Sequence, residues 1–189
     1  MSNYFKFFPD IEYGEKVIKN ICRRVMFSDT IGSNPYVFLP YVIKEDERPE
    51  DVSYYYYDSV DYVWLIYLAN NIIDPKYDWP MSQNNLNNFI IQKYRSSANT
   101  TGNDVLNWSK NTQITDNILY YENSEFDRIT TKTYELESAF QNSDFISGDW
   151  TPIRVYDYEF DRNENKRHIQ LVDASYALQM QNDLRENLK

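Results

Sequence analysis

Apolar residues along this chain change their spacing several times, and each change marks an element. Residues 36–43 (Tyr-Val-Phe-Leu-Pro-Tyr-Val-Ile) are β-branched and aromatic and predict a strand, which Pro40 confines to a sheet edge or divides in two. After the charged turn at 44–47, Pro49 falls where the first turn of a helix tolerates proline. Glu50 and Asp51 complement the helix dipole there, so a short helix is expected from about Pro49 to Tyr57. A second helix starts near Asp58 or Ser59, either of which can cap it. Its residues Val60, Val63, Trp64, Tyr67 and Leu68 keep the period of a helix face, while Ile66 lies off that face and implies cover on more than one side. Asn70-Asn71 ends it and Asp74-Pro75 opens a turn. An edge strand followed by two short helices predicts a βααβ unit with a weakly marked closing strand. Residues 77–80 read as a turn or short extended piece, and 83–94 as a helix through Leu86, Phe89, Ile90 and Tyr94.

The flanks are less regular. Phe5, Phe7 and Phe8 cluster ahead of Pro9, and residues 17–27 fit neither the helical nor the strand period, so 1–39 reads as an extended arm with a short strand or two. Residues 96–103, all small or polar, form the clearest linker. Beyond it Phe126, Ile129, Thr133, Leu136 and Phe140 predict an amphipathic helix over 124–142, capped by Ser124. Residues 151–160 and 167–172 read as two extended runs joined by 161–165, hence a hairpin with a longer loop. Asp173 then caps a last helix carrying Ala177, Met180, Leu184 and Leu188. The fold class is α+β: an N-terminal arm (1–39), a small βααβ module (40–95) and a C-terminal helix–hairpin–helix region (96–189).

Composition narrows the function. The 189 residues hold 29 Asp and Glu against 19 Lys and Arg, a net charge of −10 that argues against nucleic acid as a partner. One Cys, Cys22, forbids an intramolecular disulfide, and with one His it cannot complete a Cys/His zinc site, so no metal or cofactor is expected. Four scattered glycines make no phosphate loop. The longest apolar run, Val63–Ala69, is far below the ~20 residues a bilayer needs. The N-terminus lacks the basic region of a signal peptide, so synthesis and folding in the cytoplasm are expected, with no membrane partner. The aromatics (18 Tyr, 10 Phe, 4 Trp) are of the kind that fill interface cores.

Candidate chemistry is sparse. His168 sits beside Lys166 and Arg167 and reads as a surface histidine, and Cys22 has no base near it in sequence. Carboxylate pairs such as Glu50/Asp51 and Asp157/Glu159 arise by chance among so many acidic residues. No catalytic residue is assigned, and an enzyme is not expected. Tyr54, Tyr55, Tyr56 and Tyr57 are the least ordinary stretch, because four consecutive helical tyrosines face all directions and cannot share one core. With Phe5, Phe7, Phe8 and Trp79 they are the expected partner-interface residues.

Several blocks in register carry a resemblance. They are residues 7–13 (Phe-Phe-Pro-Asp-Ile-Glu-Tyr), Tyr41-Val42-Ile43-Lys44 with Arg48-Pro49-Glu50-Asp51, the stretch from Tyr62-Val63-Trp64 to Tyr77-Asp78-Trp79, and Ile91-Gln92-Lys93-Tyr94. Thr133-Tyr134-Glu135 and Asn182-Asp183-Leu184 extend it more weakly. The chain resembles the baseplate wedge protein 53 family of T-even-type contractile-tailed bacteriophages. That resemblance implies a structural virion protein of the tail baseplate that joins adjacent wedges into the ring around the hub during assembly. The implied partners are the core wedge subunits six and seven, the small sheath-seating subunit twenty-five and the neighbouring wedges. It also implies a LysM-like central module, with Leu68, Asn70 and Asn71 in the region of the Leu–Asn signature. Where glycan-binding LysM modules show a Gly-Asp-Thr-Leu-like turn, this chain has Arg48-Pro49-Glu50-Asp51-Val52, which favours a packing unit between proteins. The alternative is a LysM-type glycan (peptidoglycan) binding module. Residues 143–165 are longer than the family leads one to expect, so no contacts carry over there.

Overall fold

A computed structural model describes residues 8–22, 25–27, 31, 34–140 and 145–187. In chain order it has strands β1 (Asp10–Tyr13), β2 (Lys16–Lys19) and β3 (Phe38–Val42), then helices α1 (Pro49–Tyr57), α2 (Val63–Ala69) and α3 (Pro75–Asp78). Helices α4 (Gln83–Ala98) and α5 (Asn103–Lys110) are followed by β4 (Ile118–Glu122), β5 (Arg128–Ile129) and α6 (Thr131–Phe140). The last elements are β6 (Thr151–Arg154), α7 (Val155–Asn165), β7 (His168–Val172) and α8 (Ala174–Asn187). The class is α+β, as expected. The chain forms two compact units: unit 1 comprises residues 1–80 and 166–189, and unit 2 is the continuous stretch 81–165.

In unit 1, the strand that pairs with β3 is not near residue 77. It is β7, antiparallel, with Pro40 opposite Gln170 and Leu39 opposite Leu171. Backbone bonds from Asp173 N–H to the Val37 carbonyl and from Ile43 N–H to the Arg167 carbonyl flank this ladder and fix its phase. The even positions of β3 therefore point their main-chain groups away from β7. Pro40, which has no N–H to offer, lies on that open side of a two-stranded sheet. Residues 77–79 instead belong to α3 and its exit, with Asp74 capping α3 through the Lys76 N–H at 3.0 Å.

Helix α1 has the expected bounds. The Asp51 carboxylate accepts the Arg48 N–H at 3.0 Å, and Asp58 ends the helix in a left-handed conformation (φ 55°), which Asp tolerates better than most residues. Ser59, not Asp58, caps the next element: its hydroxyl accepts the Asp61 N–H, and a 3₁₀ turn over Val60–Tyr62 leads into α2. Val63, Trp64, Leu65 and Ile66 are all buried. Trp64 and Leu65 belong to one apolar cluster, with Phe8, Val37, Val172, Ala177, Met180 and Leu184; Ile66 belongs to another, with Ile43, Val52, Trp79, Ile169 and Leu171. Helix α2 thus runs between two cores, as the off-face position of Ile66 predicts, whereas Val60 is exposed.

Asn70 completes the sheet on its other side. Its side-chain amide donates to the carbonyls of Ile66 and Gln170, both at 2.8 Å, and its side-chain oxygen accepts the Gln170 N–H at 2.7 Å. The Tyr57 hydroxyl adds a bond to the Val172 carbonyl at 2.8 Å. Side chains thereby satisfy the Gln170 main-chain groups and the Val172 carbonyl on the outer edge of β7, where a third strand would otherwise bond. Helix α8 is capped by Asp173 through the Ser175 N–H and buries Ala177, Met180 and Leu184, as its spacing predicts; Leu188 lies outside the described residues.

Unit 2 differs more from expectation. Residues 96–103 are not an interdomain linker but the turn of a helical hairpin. Helix α4 extends to Ala98, Asn99 adopts φ 49°, and Gly102, at φ 61°, starts α5, which packs on α4. The helix expected over 124–142 is shorter: Ile129 lies in β5, Ser124 in the preceding turn, and α6 begins at Thr131 with the Thr130 hydroxyl accepting the Thr133 N–H. The hairpin expected over 151–172 does not form. Residues 155–165 are α7, β6 pairs with β4 in the order β5-β4-β6, and β7 pairs elsewhere. Helix α7 buries Val155, Glu159 and Asn163 at strict i, i+4 spacing, but two of the three are polar, and that concealed the helical period. Its Asn163 accepts the Met81 N–H at 2.7 Å and donates to the Met81 carbonyl at 2.9 Å, the same device as Asn70. Leu86, Ile90 and Val155 form the core, flanked by Leu106, Trp108 and Tyr156.

Candidate assembly surface

The expected interface residues fall into distinct environments. Phe5 and Phe7 lie outside the described residues. Phe8 is buried among the apolar side chains of unit 1. Trp79 is only 8% exposed, and its indole N–H donates to the Glu47 carbonyl at 2.9 Å, pinning the loop ahead of α1. Both residues therefore pack within the free chain.

The four tyrosines separate as helix geometry requires. Tyr57 leans inward onto β7, and Tyr56, half-buried, meets it edge-on at 4.8 Å between ring centroids. Burial raises both hydroxyl pKa values above the ordinary tyrosine range. Tyr54 and Tyr55 point the other way, 56% and 79% exposed, with their rings in edge contact at 6.1 Å. Around them the exposed residues of α1 and its C-cap are acidic: Glu50, Asp51 and Asp58.

Ionisable groups inside unit 1 support packing. The Tyr41 hydroxyl donates to Glu47 at 2.8 Å; burial first, then the Glu47 carboxylate, push its pKa up to about 12. Tyr67 is pushed up to about 12 by burial and the charge of Glu50. Arg167 pairs with Glu45, tying β7 to the loop before α1. His168 and Cys22 are exposed.

In unit 2, Glu159 is 3% exposed, and its carboxylate accepts from Lys93 Nζ at 2.6 Å and the Tyr94 hydroxyl at 2.7 Å. Burial and this carboxylate raise the Tyr94 pKa well above the usual tyrosine value. Asn117, fully buried, donates to the carbonyls of Trp108, Ser109 and Asn111 and closes the C-terminal end of α5. Among the described residues no group of three or more His, Cys, Asp or Glu could hold a metal ion, and no helix is long and apolar enough to cross a membrane.

Two exposed apolar surfaces had weaker signals in sequence. In the β1–β2 hairpin, turned at Gly14 (φ 62°), Ile11 pairs with Ile18 and Tyr13 with Lys16, so Ile11, Tyr13 and Ile18 share one exposed face. Strict alternation over four residues, too short to stand out, was the signal. On α6, Leu136 and Phe140 are exposed although their spacing predicts a buried stripe.

The described chain is an α+β protein whose aromatic and apolar side chains pack two units and leave several faces uncovered. The family follows from the sequence match: the chain belongs to the base plate wedge protein 53 family, whose model matches residues 3–185. It is a structural component of the phage virion's tail baseplate. Over 190 residues it is 23% identical to baseplate wedge protein gp53 of Enterobacteria phage T4, covering 95% of this chain and 93% of that protein.

Proposed function

We propose that this chain is a non-catalytic subunit that joins adjacent wedges into the baseplate ring around the hub. The match to the baseplate wedge family over residues 3–185 carries the reading. The partners are other wedge proteins: the core subunits six and seven, the small sheath-seating subunit twenty-five, and the neighbouring wedge. Unit 1 supplies a LysM-like βααβ module from β3, α1, α2 and β7, working as a packing unit between proteins. The exposed Tyr54 and Tyr55 and the apolar hairpin face around Tyr13 support this reading, because large uncovered aromatics mark protein interfaces. Phe5 and Phe7, outside the described residues, are proposed as further contact residues. The test is to assemble wedges from the other wedge proteins of the same phage, with and without this chain, and to examine them by sedimentation and electron microscopy. Rings that form only when the chain is present are expected. Rings that close without it, or a chain that never enters them, would sink the proposal.

A further inference from the structure

Helix α1 has two dissimilar sides. Val52 and Ser53 are buried, while Glu50, Asp51, Tyr54, Tyr55 and Asp58 are exposed at i, i+1, i+4, i+5 and i+8, one continuous strip of the helix and its C-cap. The strip carries three carboxylates, and the exposed Arg48 of the N-cap, which among the described residues forms no ion pair with them, borders its first turn. Among the described residues none of the three carboxylates forms an ion pair; Asp51 takes only the Arg48 N–H. Beyond their edge contact with each other, the rings of Tyr54 and Tyr55 are largely open, 56% and 79% exposed.

Charge and shape limit what can cover this strip. An apolar surface would bury three carboxylates, only Asp51 having a hydrogen bond within the described chain, at a cost of several kcal/mol. A second copy of the same strip would set like charges together. A neutral sugar would stack on the rings and leave the charges idle. A lysine would answer the charges only as a point, whereas the planar guanidinium of arginine bonds a carboxylate in two places and also lies flat on a tyrosine ring. We propose that this face of α1 docks an arginine-bearing basic surface of a neighbouring baseplate protein. The inference rests on the assembly reading above and names the chemistry of one of its contacts.

The experiment measures binding of the full chain to wedge complexes assembled from the other wedge proteins of the same phage, by co-sedimentation across a series of NaCl concentrations. Two variants are compared with wild type: Glu50→Gln with Asp58→Asn, and Tyr54→Ala with Tyr55→Ala. All four positions are exposed, the Asp51 bond is left intact, and Asn tolerates the left-handed backbone at 58; circular dichroism melting verifies the fold. Wild-type binding should weaken with salt. The carboxylate variant should bind at least ~10-fold more weakly at low salt with a flatter salt dependence, and the tyrosine variant at least ~10-fold more weakly with the wild-type slope. Both variants binding within about twofold of wild type would overturn the docking face while leaving the assembly reading in place. Loss in the tyrosine variant with an unchanged slope in the carboxylate variant would identify an uncharged occupant and overturn the arginine assignment. Failure of the wild-type chain to bind would overturn both.

Discussion

Asn163→Ala is the sharpest test of how unit 2 is held. The Asn163 side chain, 3% exposed, pairs with both main-chain groups of Met81, at 2.7 and 2.9 Å. Truncation removes two hydrogen bonds, each worth about 0.5–1.5 kcal/mol net. Counted instead by what is left behind, a Met81 N–H and carbonyl lose their partner in a part-buried site, where an unsatisfied group costs about 1–3 kcal/mol; the two counts describe one loss and do not add. The loss should come to roughly 2–4 kcal/mol, and for a unit of this size each kcal/mol lowers the melting temperature by about 4–8 °C. Asn70→Ala removes three bonds but should cost less, about 1–2 kcal/mol, because Gln170 is exposed and water can replace the lost partner. Bond count would rank the two variants one way and burial the other. Asn163→Asp adds a check of sign. Its carboxylate could still accept the Met81 N–H but would face the Met81 carbonyl, so only the protonated acid restores both bonds. The folded-state pKa of that Asp is then raised, and the variant should regain stability relative to wild type as pH falls through it. Urea unfolding followed by circular dichroism, with calorimetry, measures all three. An Asn163→Ala variant within about 0.5 kcal/mol of wild type, or milder than Asn70→Ala, would refute the reasoning.

The same packing sets other outcomes. Trp79→Ala should lower the stability of the isolated chain by about 3–5 kcal/mol, and Trp79→Phe, which keeps the ring but loses the bond to Glu47, by about 1–2 kcal/mol, read from urea midpoints. At the Glu159 site, Lys93→Met should cost more than Glu159→Gln, about 2–3 against about 1 kcal/mol, because the first strands a buried carboxylate while the glutamine oxygen still accepts from Lys93 and Tyr94; equal costs would contradict the burial of that charge. Alkali should destabilise the fold. Unfolded tyrosines lose protons near pH 10, while Tyr41 and Tyr67 hold theirs to about 12 and Tyr57 and Tyr94 are raised as well, so the unfolded chain binds fewer protons in that window. Stability should be level below about pH 9 and fall from about 10 to 12, with tyrosinate absorbance lagging behind that of the urea-unfolded chain.

Elements with a single apolar period and an unambiguous start were legible in sequence. Pro49 with Glu50 and Asp51 placed α1 to the residue, and Asp173 with Ala177, Met180 and Leu184 placed α8. Helix α7 was not, because Glu159 and Asn163 occupy its inward positions and Tyr156, Tyr158 and Phe160 imitate a strand. The partner of β3 was not, because pairing across the sequence leaves no local trace. Helix α5 and β4, between the two stretches that were read, lacked a long enough run to register. Of the candidate surface, the tyrosine run was plain, but which two of four face outward depended on the phase of α1. Phe8 and Trp79 show the limit from the other side: sequence marks an aromatic as something to be covered without saying whether its own chain covers it.

The placement of residues 81–165 between the two segments of unit 1 sets an order of events at the ribosome. Strand β3 leaves the exit tunnel about 130 residues before β7, an interval of roughly 6–26 s at ordinary synthesis rates. Through that interval Phe38–Val42 is a strand without its mate, and all of unit 2 emerges before the mate does. Pro40 removes a donor only from the side that faces away from β7, so the edge that waits for its mate keeps its full set of main-chain groups through that interval. Unit 2, continuous in sequence, can be complete while unit 1 still waits for its last two elements. A chain cut short after Asn165 would therefore retain one core and lack the strand and helix that finish the other two.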